Sequence, residues 1–249
     1  MNLSATITGS NGFIGKALKT RLEGLGWKIY SELRPDVGYV FLFGSPSSDH
    51  WFKQASDYSI QETLGNLMRV AGFCNTYGIK LIYPSSGTIY NPVTTYSKTK
   101  LASEVVAMIY NDNFLGLRIF AGYGVGEGHK NEYASVVYQF IKNIKKGESP
   151  VIWGDGEQTR DFIYIDDIVE TIISNLDKEG VFDIGTGENH SLNEVVKLIN
   201  ENLKTNINPI HIPKPKNYLD HTICLRPTKF NVSLKQGIDK IINWDRLYD

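Results

Sequence analysis

Short apolar runs alternate with stretches of helical period along the first half of the chain. Residues 3–8 are β-prone and run into Gly9-Ser10-Asn11-Gly12, a turn signal. Residues 13–25 then carry Ile14, Leu18, Leu22 and Leu25 at helical spacing, which predicts one shared buried face, and Gly26 ends the helix. Residues 27–30 read as a second strand. The near-continuous apolar run 39–43 suits a parallel strand buried on both faces. A helix is predicted over 57–77, with Leu64, Leu67, Ala71 and Cys74 on one side. A strand over 80–83, a helix over 96–110 and a strand over 115–120 follow. This alternation predicts an α/β architecture, a parallel sheet covered on both faces.

Beyond Tyr123 the alternation loosens. Glycines cluster at Gly124, Gly126 and Gly128, and Gly154-Asp155-Gly156 makes a turn. Helices are expected over 135–145, 165–176 and 192–203, a strand over 181–184 and a last helix near 234–244. Pro209, Pro213, Pro215 and Pro227 suit an irregular lobe. The expected organisation is a core of residues 1–123 plus about 161–185, interleaved with a smaller substrate lobe of about 124–160 and 186–249.

Composition narrows the function classes. The 249 residues are 41% hydrophobic and 21% charged, ordinary for a globular protein, and such a length buries a sizeable core. A formal net charge of −1 supplies no broad field for nucleic acid or an anionic membrane. Cys74 and Cys224 make no disulfide framework, and His50, His129, His190, His211 and His221 are scattered, so no metal site is expected. No apolar run reaches the length of a membrane span, and Met1 leads directly into the first strand with no leader pattern. A cytoplasmic location is the resulting expectation.

Three short motifs carry candidate chemistry. Gly9-Ser10-Asn11-Gly12-Phe13-Ile14-Gly15 lies between the first strand and the first helix. Glycines there let the backbone turn tightly and approach a pyrophosphate at the helix N-terminus, although turn and cap glycines alone are common. Tyr96 and Lys100 stand four apart, on one helix face. An ammonium group near a phenol favours the phenolate and makes Tyr96 a candidate general acid/base, against the commoner alternative of a surface Tyr–Lys pair. Ser85-Ser86-Gly87-Thr88 closes the 80–83 strand, at the carboxyl end where open parallel sheets gather ligands. Read in isolation it is a serine-rich turn.

Together these segments resemble the extended short-chain dehydrogenase/reductases, specifically the NAD-dependent nucleotide-sugar epimerase/dehydratase family. The matching positions are 8–15, Ser86 ahead of Tyr90, and Tyr96 with Lys100. Leu117-Arg118-Ile119-Phe120-Ala121-Gly122-Tyr123-Gly124, the stretch 154–167 containing Arg160, and Phe182-Asp183-Ile184-Gly185-Thr186-Gly187 extend the resemblance over nearly the whole chain. It implies a Rossmann-type doubly wound sheet and a catalytic set of Ser86, Tyr96 and Lys100. NAD or NADP would be held by Gly9, Asn11, Gly12, Phe13, Ile14 and Gly15, with Asn66, Tyr96 and Lys100 at the nicotinamide end. A nucleotide-diphosphate sugar would be bound by Ser86, Tyr96, Ala121 and Arg160, the guanidinium suiting a diphosphate. The implied activity is epimerisation through a keto sugar. A ketoreductase using NAD(P)H and a non-catalytic dinucleotide-binding relative are the alternatives.

Several departures matter. Between Tyr30 and Tyr39 the family's extra strand and helix are missing, leaving Glu32 and Arg34 as candidate readers of a ribose hydroxyl or a 2′-phosphate. Gly87 and Thr88 follow Ser86 where the 4,6-dehydratases carry an Asp-Glu pair, which makes dehydration the least expected family chemistry. Ala121 stands where many relatives place an asparagine. By analogy with relatives that pair two long helices, a homodimer through Leu64, Met68, Val105 and Met108 is a further expectation, although core packing explains those residues equally well.

Overall fold

The structure, a computed structural model, describes residues 3–248. Met1, Asn2 and Asp249, which bound the two expected segments, lie outside the described residues. In chain order the elements are β1 (Ser4–Thr8), α1 (Phe13–Gly24), β2 (Lys28–Tyr30), β3 (Tyr39–Leu42), α2 (Asp49–Gln54), α3 (Ser56–Tyr77), β4 (Lys80–Ser86), α4 (Thr95–Tyr110) and β5 (Phe114–Ile119). They continue with β6 (Ala121–Tyr123), α5 (Val136–Lys145), β7 (Val151–Trp153), β8 (Thr159–Arg160), β9 (Phe162–Tyr164), α6 (Ile165–Ser174), β10 (Gly180–Ile184), β11 (His190–Ser191), α7 (Leu192–Leu203), β12 (Ile210–Ile212) and α8 (Leu234–Tyr248). Two compact units result: Met1–Ile119 with Val169–Asp183, and Phe120–Ile168 with Ile184–Asp249.

The first unit is built on a six-stranded sheet of order β10-β5-β4-β3-β1-β2. The pairs β1–β2, β1–β3, β3–β4 and β4–β5 are all parallel. Parallel strands are covered by helices on both faces, and the inner strands β1, β3, β4 and β5 accordingly bury nearly every residue, among them Ala5 and Ile7 in β1, Val40 and Phe41 in β3, Leu81 and Ile82 in β4. On one face Leu67, Val70, Ala71 and Cys74 of α3 and Ala107 of α4 close over Val40, Leu42, Leu81 and Tyr83. Each such aliphatic side chain contributes about 1.5–3 kcal/mol by leaving water.

Three local outcomes differ from the pattern read off the chain. Leu25 does not join the buried face of α1: it is 42% exposed, because the helix stops at Gly24 and the chain turns away through Gly26 at φ +81°. The short helix α2 was not expected. The 80–83 strand runs on to Ser86 and so places both serines within the sheet. At the other end, the short stretch after β2 leaves β2 as the sheet edge, with no further strand beyond it among the described residues. The exposed edge is blunted by cations: Lys28 and Arg34 lie 5.3 and 4.5 Å from the Tyr30 ring centre.

In the second unit, three two-stranded pairings (β6–β9, β7–β12 and β8–β11) sit with α5, α7 and α8. Buried carboxylates tie its loops. Asp161 accepts bonds from Thr186 N and Oγ1 at 2.7 Å, Gly187 N at 2.8 Å and Cys224 N at 3.0 Å. Asp167 likewise accepts from the backbone of Asn231 and Val232, at 2.9 and 3.1 Å. The proline-rich tail, largely irregular apart from β12, is thereby pinned.

Candidate active site

The loop between β1 and α1 is closed by contacts that only glycine permits. Gly9 adopts φ +72°, and a Cβ there would lie 2.6 Å from Gly44 N. A Cβ on Gly15 would lie 2.2 Å from Gly9 O. Gly12 N donates to Gly9 O at 2.9 Å, and Lys16 N donates to Gly12 O at 2.8 Å, which starts α1 directly behind the turn. No side chain caps α1, and its first turn holds no acidic residue. Phe13, Ile14 and Gly15 thus open a helix whose positive end is offered to an anion, and Ser10 and Asn11 occupy the turn in front of it. This backbone fits the pyrophosphate of a dinucleotide.

The α4 helix starts with a capping box, Thr94 Oγ1 accepting from Ser97 N at 3.2 Å and Ser97 Oγ from Thr94 N at 3.0 Å. The cap fixes the first turn, so Tyr96 and Lys100 emerge one above the other on the face turned to β4. Lys100 is buried, and its Nζ donates to Pro84 O at 3.1 Å and lies 5.8 Å from the Tyr96 ring centre. The Ser86 hydroxyl faces Tyr96, accepts from Thr88 N at 3.2 Å and stands 2.9 Å from Thr88 Oγ1. Phe52, brought in by α2, meets the Tyr96 ring edge-on at 5.5 Å. A small pocket beside Lys100 is lined by Ser45, Thr63, Asn66 and Ser103. Asn66 itself donates to Glu62 at 2.9 Å. Ser86, Tyr96, Lys100 and Asn66 are therefore brought together within the first unit.

In the chain by itself Lys100 does not bring the phenol down: burial pushes Tyr96 up to about 12, and the Ser86 hydrogen bond only opposes this. Burial likewise pushes Lys100 down to about 8. Both groups are driven towards their neutral forms because they share a dry site.

At the β2 edge, Glu32 is exposed and lines a surface pocket with Ser10, Lys19, Tyr30 and Ser31. Arg34 is instead held in a two-point pair with Asp36, at 2.9 and 2.8 Å, and stacks on Tyr30. Ala121 and Arg160 belong to the second unit. Ala121, in β6, donates its N–H to Asp161 O at 2.9 Å. Arg160, in β8, spends Nη1 on Thr159 O and Asp220 O at 2.8 and 3.1 Å and lies 5.3 Å from the Tyr218 ring centre. Among the described residues no group of acidic, cysteine or histidine side chains could hold a metal, and no helix is long and apolar enough to cross a membrane.

Sequence reading missed Gly44, Ser45, Phe52 and Glu104. The glycine at the end of an apolar strand, and a carboxylate four residues after Lys100 on the same helix face, were the available signals. Phe52 gave none, since it depends on α2.

A model of the NAD dependent epimerase/dehydratase family matches residues 28–185, more than half of the chain, starting after the glycine loop. A Methanocaldococcus jannaschii protein assigned as a UDP-glucose 4-epimerase is 32% identical over 169 residues, covering 62% of this chain and 54% of that protein. An ADP-L-glycero-D-manno-heptose-6-epimerase of Brachyspira hyodysenteriae is 29% identical over 187 residues, 62% of this chain and 59% of its own. The chain thus matches little more than half the length of these curated relatives. Among solved structures, a UDP-glucose 4-epimerase of Thermotoga maritima with UDP-glucose superposes with a TM-score of 0.89, over 98% of this chain and 99% of that one, at 22% identity.

The Lys100 environment makes a stability prediction. Its folded pKa of about 8 lies below the ordinary 10.5, so between those values the unfolded chain binds more protons and stability rises with pH. The unfolding free energy of the wild type minus that of Lys100→Met, from urea titrations, should grow by up to about 3 kcal/mol from pH 8 to 10.5. A flat difference would contradict a buried Lys100.

Proposed function

The chain belongs to the NAD-dependent epimerase/dehydratase family, and from that premise we propose that it epimerises a sugar carried on a nucleoside diphosphate, through a keto-sugar intermediate. The observation that carries this reading is the convergence of Ser86, Tyr96 and Lys100 at the end of β4, in the unit that also holds the glycine loop.

Loop 9–15 with Asn66, Tyr96 and Lys100 would hold NAD, which would supply the hydride acceptor and donor when bound. The chain's own residues handle the proton. Tyr96 takes it from the sugar hydroxyl as the hydride leaves the same carbon. It returns the proton when the hydride comes back to the opposite face of the turned-over keto sugar. Ser86 bonds the reacting oxygen. In the chain by itself the phenol stands at about 12, so the working phenolate needs more positive charge than Lys100 gives it there. The cationic nicotinamide would add that charge to the Lys100 ammonium, which is still charged at neutral pH. Arg160, in the second unit, carries a guanidinium suited to a diphosphate, and the Ala121 side chain can offer no hydrogen bond. Gly87 and Thr88 bring no carboxylate next to Ser86, which favours epimerisation over dehydration.

The pairing of Arg34 with Asp36, against the exposed Glu32 carboxylate, supports NAD over NADP, because a 2′-phosphate would meet an anion rather than a guanidinium. Of the residues named for a helix contact, Met68, Val105 and Met108 are exposed and Leu64 is half-buried; Leu101 is exposed with Val105 and Met108 along one stripe of α4. This supports a homodimer through α3 and α4. The reading keeps the cytoplasmic location expected from the sequence.

Incubation with a panel of nucleotide sugars and trace NAD, followed by proton NMR, should yield a new anomeric signal without net cofactor reduction. Tyr96→Phe should slow this by about 10²–10⁴-fold. An unchanged panel that reacts only when a keto sugar and a reduced cofactor are supplied would make the protein a ketoreductase instead. Calorimetry should find NAD bound at least about tenfold more tightly than NADP, a difference of about 1.4 kcal/mol; equal affinity would remove Glu32 from this role. Sedimentation should give a dimer at micromolar concentration, and a monomer alone would dismiss the α3–α4 interface.

A further inference from the structure

Directly behind the Ser86–Tyr96–Lys100 set lies a buried polar cluster to which the proposed reaction gives no part. Glu104, four residues after Lys100 on α4, is 4% exposed. Its Oε1 accepts from Ser85 Oγ at 2.5 Å and from Arg118 Nε at 2.9 Å, and its Oε2 accepts from Arg118 Nη2 at 2.8 Å. Arg118 continues through Nη1 to the Tyr90 hydroxyl at 2.9 Å, and Tyr90 donates to the Asp183 carboxylate at 2.8 and 2.7 Å. The parallel register sets Ser85 beside Arg118, so β4 and β5 present a hydroxyl and a guanidinium to one carboxylate.

A buried ion pair is a poor source of net stability, since desolvation offsets most of its attraction. Its two-point geometry is directional, however. Three consecutive residues of β4 each meet α4 at successive turns: Ser86 faces Tyr96, Pro84 O accepts from Lys100, and Ser85 donates to Glu104. A slip of one residue would carry α4 about 1.5 Å along its axis and turn it by roughly 100°. That would break all three contacts together.

We propose that Glu104, gripped by Ser85 and Arg118, is a positioning residue that holds α4 in the register keeping the Tyr96 hydroxyl against Ser86. This rests on the reading of Tyr96 as the acid/base group. Glu104 touches neither substrate nor cofactor in this role and acts only through the helix it anchors.

The test uses Ser85→Ala, which leaves the Glu104–Arg118 pair in place, and Ser85→Thr, which restores the hydroxyl. Ultraviolet titration of the NAD complex, with Tyr96→Phe subtracted to isolate one phenol, reads the Tyr96–Ser86 contact without requiring turnover. In Ser85→Ala the Tyr96 transition should move upward by about half a pH unit or more, roughly threefold less phenolate at a given pH, and return towards wild type in Ser85→Thr. With an active substrate, kcat should fall about tenfold, equivalent to about 1.4 kcal/mol, while KM changes by less than about twofold. Glu104→Gln, which keeps the shape but weakens the grip on Arg118, should shift the titration the same way should Ser85→Ala fail to fold. A wild-type Tyr96 titration in these variants would overturn the proposal. If no nucleotide sugar reacts with the wild type, the epimerase reading fails, and the titration alone decides the role of Glu104.

Discussion

A phenol, an ammonium and a carboxylate stand in line on the inner face of α4, Lys100 and Glu104 buried and Tyr96 half-buried. The interior of a parallel sheet solvates none of these groups, so each must find its partner on the sheet or remain unpaired at a cost of several kcal/mol. The carboxyl ends of β4 and β5 meet that demand with Pro84 O for Lys100, Ser86 for Tyr96, and Ser85 with Arg118 for Glu104. Because these partners occupy successive strand positions, the placement of α4 follows from polar satisfaction as much as from apolar burial. The opposite stripe of the same helix carries Leu101, Val105 and Met108 outward. One helix thus bears the chemistry on one side and a candidate subunit contact on the other.

The same economy of space governs the dinucleotide end. The β1–α1 loop can close only because two glycine backbones, Gly9 and Gly44, pass each other with no room for a Cβ. The end of β3 is therefore as much a part of that loop as the glycines that precede α1. The short connection after β2 leaves this region at a sheet edge, where Glu32 faces solvent and Arg34 is consumed by Asp36 and Tyr30.

In the second unit, acidic side chains replace regular structure as the organising device. Asp161 and Asp167 flank β9 and collect backbone N–H groups from the 184–187 turn and from the irregular tail. Glu127 does the same in the glycine-rich loop, accepting from Gly124 N at 3.1 Å and from Ser135 N at 2.7 Å. Arg160 is adjacent to Asp161, so its backbone sits beside the carboxylate that ties this turn.

Much of this was legible in the residues themselves. The alternation of apolar runs with helical periods determined the strands and the long helices, since burial on two faces or one leaves its period in the chain. Turn glycines and the spacing of Tyr96 and Lys100 located the candidate chemistry, because a helix returns to the same face every four residues. What the chain alone could not decide were the features that depend on distant neighbours: the stop of α1 before Leu25, the close pass of Gly44, the Phe52 contact, the capture of Arg34 by Asp36, and the raised rather than lowered phenol. Protonation and close approach are set by what surrounds a group, and only the packed structure brings Ser85, Glu104 and Arg118 to one point.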